Sequence, residues 1–213
     1  MKKNQILKDQ KMGKFPNQLT RNEENYLKLK KIIDETKDDF INNPYLQEEE
    51  DTVLKKYGKM FDFNNIQFLT RNDIKEFWQF SNNHHWKHIS RYSDTITEDM
   101  DKLRNVISFL LDENKPILER LNRVIFEKGD LHINHLHKAK LTPILFVEYP
   151  KKYCVYNSIT NSAMDKLGLL PNFSRNLTFG EKYLKINNTI LDISRKYDIS
   201  LWKIDYMWWQ VVR

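Results

Sequence analysis

Cysteine is nearly missing from this chain of 213 residues, with Cys154 the single thiol. One cysteine excludes an internal disulfide framework and any thiolate-built zinc cluster. Glycine is scarce at 5 residues, and no segment alternates polar and apolar residues long enough to read as a half-buried strand. No apolar run approaches the roughly 18 residues that a bilayer-spanning helix needs. The opening Met1-Lys2-Lys3-Asn4-Gln5 is basic, but no apolar stretch or small-residue cleavage site follows it. No internal repeat is visible. These absences point to a soluble, cytoplasmic protein with no membrane partner.

What is present is enough to build a core. Hydrophobic residues make up 40% and aromatic residues 13% of the chain, which excludes global disorder. The length suits one domain with a small N-terminal extension. Lys and Arg outnumber Asp and Glu by 35 to 29, a net charge of +6. Such an excess is compatible with nucleic acid but does not require it, because an AT-rich genome alone enriches Lys and Asn.

Helical periodicity recurs along the chain. Met100, Leu103, Val106, Ile107, Leu110 and Leu111 share one face at three- and four-residue steps, as do Tyr183, Ile186, Ile190, Leu191, Ser194 and Tyr197. A shorter stripe joins Ile117, Leu118, Leu121, Val124 and Ile125. Thr20 with Glu23, Thr95 with Glu98, and Thr178 with Glu181 each read as a capping box. Pro116, Pro150 and Pro171 lie where helices should stop or begin. The pattern predicts an all-α protein. Residues 1–19, rich in Lys, Asn and Gln and aperiodic, read as a mobile basic tail. Residues 20–49 read as a helical extension, with a charged amphipathic helix over 20–43 and a short helix begun or joined by Glu48-Glu49-Glu50-Asp51. Residues 50–213 form the core domain.

Residues 117–169 carry the functional argument. One helix ends near Phe126-Glu127-Lys128-Gly129-Asp130, and Ile133-Asn134-His135-Leu136-His137 turns tightly into a second helix over Lys138-Ala139-Lys140-Leu141-Thr142-Pro143-Ile144-Leu145. A loop through Tyr149-Pro150-Lys151-Lys152-Tyr153 reaches Val155-Tyr156-Asn157-Ser158 and a third helix that ends at Lys166-Leu167-Gly168-Leu169. This order resembles the helix-hairpin-helix unit of base-excision DNA glycosylases, whose hairpin runs hydrophobic-Pro-Gly-hydrophobic-Gly. Residues 50–209 also look like a family of small prokaryotic proteins built on that unit, and like N-terminal modules of some modification-dependent restriction proteins. The matching pieces are Asn83-His84-His85-Trp86, Leu110-Leu111-Asp112-Glu113, Leu141-Thr142-Pro143-Ile144-Leu145, Tyr156-Asn157-Ser158, Phe179-Gly180-Glu181-Lys182-Tyr183 and Leu201-Trp202…Asp205…Trp208-Trp209.

The resemblance implies a glycosylase-like bundle whose hairpin presents backbone amides and a helix N-terminus to a DNA phosphate. His135 and His137 occupy its glycine positions, where a side chain tolerates positive φ poorly and hinders close backbone approach. Contacts from His135, Leu136, His137, Lys138 and Lys140, with Lys151 and Lys152 on the following loop, would then grip DNA in a salt- and pH-sensitive way. Ala139 stands where bifunctional glycosylases carry a nucleophilic Lys, and Asn157 stands at the catalytic Asp position. Asparagine offers neither a proton nor full negative charge, yet it can bind water, a sugar or an extruded base. Asn157 also reads as a helix N-cap.

Other residues carry two readings each. His85, Trp86, Tyr153 and Tyr156 are candidates for a base pocket, with Trp86, set among Asn82, Asn83, His84, His85 and Lys87, either stacking on a base or packing at a boundary. His84 and His88 share a helical face, but no acid–His set completes a metal site, so no metal and no cofactor are expected. Trp202, Trp208 and Trp209 read mainly as core, and Cys154 as buried and inert. The implied function is a reader of an extruded modified or damaged base in double-stranded DNA, serving restriction or antiviral defence beside a restriction or defence protein partner. The alternatives are a monofunctional DNA glycosylase using another carboxylate, such as Asp94, Asp99 or Asp165, and a partner subunit that does not bind DNA.

Overall fold

The computed structural model describes residues 21–79 and 90–213, and these form helices and connecting loops with no strand among them. The basic tail, the cap expected at Thr20 and the segment holding His84, His85, Trp86 and His88 lie outside the described residues. The helices are α1 (Arg21–Phe40), α2 (Pro44–Phe61), α3 (Arg71–Gln79), α4 (Ser93–Ile96), α5 (Met100–Leu111), α6 (Ile117–Ile125), α7 (Lys138–Glu148), α8 (Ser158–Lys166), α9 (Phe179–Tyr197) and α10 (Leu201–Val212). No helix among the described residues is long and apolar enough to cross a membrane.

The apolar stripes read from the sequence are the buried faces. α5 buries Leu103, Val106, Ile107, Leu110 and Leu111, and α9 buries Tyr183, Ile186, Ile190 and Ile193. Trp202 and Trp208 are fully buried, while Trp209 is half-buried. α7 has no polar face to speak of: every residue from Lys140 to Val147 is buried, the mark of a helix enclosed on all sides. α2 lies along it, and the other broad pairings are α6 on α9 and α8 on α10.

Short side chains end and begin these helices. Asn43, Asp99, Asn157, Thr178 and Ser200 accept backbone N–H groups at the starts of α2, α5, α8, α9 and α10. Thr178 and Glu181 form the expected capping box. Thr95 does not: it sits inside α4, and Asp99 caps the next helix instead. Two glycines hold close approaches. Gly168 (φ 68°) closes α8, with the Leu169 N–H donating to the Met164 carbonyl, and a Cβ there would meet Asn25 at 2.6 Å. Gly180 lets α9 cross α6, where a Cβ would stand 2.6 Å from the Leu118 carbonyl oxygen.

The division expected at residues 49 and 50 falls inside α2, whose start is Pro44 behind an Asn43 cap rather than the acidic run. Leu29, Ile33 and Phe40 of α1 and Leu46 and Val53 of α2 share one core cluster with α5, α7, α9 and α10. Helix α1 is further tied by the Asn25 amide donating to the Gly168 carbonyl (2.7 Å) and the Tyr197 hydroxyl donating to the Tyr26 carbonyl (3.1 Å).

Candidate functional site

The hairpin joins α6 to α7 through residues 126–137. Its turn is held by the Leu136 N–H donating to the Ile133 carbonyl (3.1 Å) and the His137 N–H donating to the His135 carbonyl (3.1 Å). His135 takes the left-handed conformation at φ 66°, where a residue with a Cβ is uncommon. Leu136 is only 1% exposed, an apolar plug behind the turn. His137 is extended (φ −104°) and makes no side-chain cap on α7. Of the two histidines at glycine-like positions, therefore, only His135 occupies a backbone conformation that favours glycine.

The segment after α7 has no strand partner, so its backbone groups need side chains. The Asn187 side-chain oxygen accepts the Cys154 N–H (2.8 Å), its amide donates to the Lys152 carbonyl (3.0 Å), and the Tyr183 hydroxyl donates to the Cys154 carbonyl (2.9 Å). Thr142 completes the set, its oxygen accepting the Tyr156 N–H (2.9 Å) while its hydroxyl donates to the Lys138 carbonyl (2.7 Å). One threonine thus ties the first turn of α7 to Tyr156, the residue before the N-cap of α8. The Lys138 ammonium lies 4.1 Å from the centre of the Tyr156 ring. The start of α7, with its partial positive charge, and the Lys138 ammonium thus lie beside Tyr156, just ahead of α8.

Asn157 is the N-cap of α8, its side-chain oxygen accepting the Thr160 N–H at 3.0 Å within a capping box. It is half-buried, so capping leaves part of the side chain in contact with solvent. The three carboxylates offered as substitutes have work elsewhere or lie open: Asp94 pairs with Lys75, Asp99 caps α5, and Asp165 is exposed on α8.

The site residues expected from sequence do not all meet at one surface. Lys140 is 8% exposed, its ammonium 5.8 Å from the Trp78 ring centre, and burial lowers its pKa. It packs inside the protein and not on its surface. Leu136 supports the turn from within. Tyr153 (3% exposed) and Tyr156 (5%) are core residues. The Tyr153 hydroxyl donates to Glu113 (2.6 Å) and accepts from Arg120 (2.6 Å), while Tyr156 stacks on Phe179 with ring centres 6.2 Å apart. Neither has a free face for a base. Lys151 and Lys152 are exposed beyond the far end of α7, roughly 16 Å along an 11-residue helix from its start, and Lys152 is paired with Glu113. Exposed His137 and half-buried His135 and Lys138 remain at the hairpin. His85 and Trp86 lie outside the described residues.

Two basic groups at the turn are held below their ordinary pKa values. Burial lowers the His137 pKa, and the neighbouring His135, Lys140 and His132 lower it further against the opposing Glu127. Burial and then Lys182 lower that of Lys138. A cavity of about 360 Å³ under the turn, lined by Glu98, Asp99, Lys102, Glu127, His132 and Asn134 among others, is by contrast rich in carboxylates and suits no phosphate. Among the described residues no group of three His, Cys, Asp or Glu side chains is placed to hold a metal ion. Cys154 is buried, which pushes its thiol far up from the ordinary range.

Compared with known proteins, the chain matches no family model, no curated protein and no solved structure. Sequence reasoning missed Tyr92, which stacks on His135 of the hairpin, and Arg91, which lies over the Tyr92 ring; nothing in the residue types signals that Tyr92 adopts positive φ (65°).

Proposed function

We propose that this is a double-stranded DNA-binding protein that grips a phosphate with its α6–α7 hairpin and reads an extruded, modified or damaged base without cleaving it. The observation that carries the reading is the left-handed hairpin turn opening into α7, whose first turn is tied by Thr142 to Tyr156 and flanked by His137 and Lys138. Backbone amides at a helix start with basic side chains beside them are what a DNA phosphate needs, and they contact it without regard to sequence. In this reading the α6–turn–α7 unit is a glycosylase-like helix-hairpin-helix, with His135 in the left-handed position that a glycine takes in that motif. Base recognition falls to Asn157, which follows Tyr156. Its inability to ionise argues against hydrolysis of the glycosidic bond. A role in restriction or phage defence belongs to the same proposal and rests on the sequence resemblance.

The test uses labelled duplexes carrying modified cytosines, uracil or oxidised guanine, incubated with the full chain. A native gel reports binding, and hot alkali reports abasic sites. The expected result is a shift, strongest for one modified duplex, without a strand break. With few phosphates contacted, the slope of log K against log salt should be shallow, about −2 to −3. A break at the modified position would make the protein a glycosylase, and neither shift nor break at low salt would leave the partner-subunit reading.

A further inference from the structure

His135 and Tyr92 are in contact, and both are left-handed. Tyr92 (φ 65°, ψ 17°) has the dihedrals of the third residue of a type II turn, normally glycine or asparagine. That turn is closed by the Ser93 N–H donating to the Ser90 carbonyl at 3.0 Å. Bulky residues are uncommon in this conformation, and their presence calls for something that holds them there. Here the two rings lie nearly parallel, centres 3.9 Å apart and planes inclined by 10°. Replacing either residue by glycine would remove the strain and the stack together.

The stack continues outward. The Arg91 guanidinium carbon lies 4.8 Å from the centre of the Tyr92 ring, on which a guanidinium is well placed to rest. On the other side the His137 ring meets His135 edge-on at 6.3 Å. Tyr92 is 42% exposed, and Arg91 and His137 are also exposed. Arg104, Arg120, Arg123 and Arg195 each pair with a carboxylate. Arg91 has none among the described residues and is held instead against an aromatic face, with its hydrogen-bonding edges open. A guanidinium fixed in this way loses little side-chain freedom when it binds, and its planar fork fits a phosphate.

We propose that Arg91 is a phosphate contact of the same DNA interface and that Tyr92 is its positioning residue, the Arg91–Tyr92–His135 stack setting both the guanidinium and the hairpin turn. This rests on the DNA-binding reading above. The duplex backbone is the partner because Arg91, His135, His137 and Lys138, each able to donate to a phosphate oxygen, follow one another through the Arg91–Tyr92, Tyr92–His135 and His135–His137 contacts instead of converging on one small anion.

The experiment is fluorescence anisotropy of the full chain on a labelled duplex across a salt series, with thermal melting and the His135 ring-proton NMR shifts recorded without DNA. Arg91→Ala should weaken binding about ten-fold and make the salt slope shallower by about one, with an unchanged Tm. Tyr92→Gly should keep or raise the Tm, move the His135 ring protons away from their stacked position and weaken binding to a similar degree. Tyr92→Phe should recover most of the affinity. Wild-type affinity and slope in Arg91→Ala and Tyr92→Gly would overturn this inference alone and leave the hairpin reading standing. Failure of the wild-type chain to bind any duplex would overturn both.

Discussion

Asn157 caps α8 through its side-chain oxygen and still meets solvent, so its two readings are separable by substitution. Asn157→Ala removes the acceptor for the Thr160 N–H and should cost about 1 kcal/mol, whereas Asn157→Asp, an equally good cap, should change stability by no more than about 0.5 kcal/mol. Denaturant melts check both. Duplex affinity then tells whether the side chain does more than cap: Asn157→Asp places a negative charge beside the phosphate site and should weaken binding although the fold is unharmed. The cap was legible in the sequence, because a short polar residue before an apolar helix has few other uses. The burial of Tyr153, Tyr156 and Lys140 was not. Aromatic and lysine side chains serve both surface and core, and their neighbours come from α3, α6 and α9, far away in the chain.

Between elements, the placing of the 149–157 segment depends on a polar network buried under α5 and α6. Arg120 is almost fully enclosed, its guanidinium donating to the Leu110 carbonyl (2.6 Å), to Glu113 (2.7 Å) and to Tyr153 (2.6 Å). Burial opposes ionisation of Glu113, but hydrogen bonds from Lys152, Tyr153 and Arg120 hold its carboxyl below the usual carboxylate range. Its contribution to stability is therefore present above the unfolded-state pKa and is lost as pH falls through the lower folded-state value. Glu113→Gln should destabilise by about 1 kcal/mol, since it leaves the enclosed Arg120 guanidinium without its counter-charge while solvent at the exposed Glu113 screens the pair, and the loss should shrink in melts taken below about pH 4. The helices joined here were visible as apolar stripes. The network was not, because Arg120 reads as an ordinary charged residue on an amphipathic helix until α7 and its loop close over it.

For the whole molecule, net charge is a poor guide to the interface. Lys140 is buried, Lys152 is paired, and only a few cations at the hairpin are open, so DNA binding should depend on those few. His137 makes that dependence visible. Burial and nearby positive groups hold its pKa below the ordinary histidine value, whereas a bound phosphate would raise it, so binding takes up a proton. Affinity should rise as pH falls from about 7.5 through 6, and His137→Ala should flatten that profile; anisotropy titrations at fixed ionic strength measure it.

The sequence by itself determined the all-helical class, the starts of α7, α8 and α9, the main buried faces and the position of the hairpin turn. These depend on local spacing and capping chemistry, which neighbours in the chain settle. Tertiary structure decided that α1 and α2 belong to one core with the rest, that Lys140, Tyr153 and Tyr156 face inward, and that Tyr92 lies against His135 with Arg91 over its ring. Such outcomes turn on which distant side chains compete for the same enclosed space and on backbone conformations that residue type disfavours, and neither is written in local pattern.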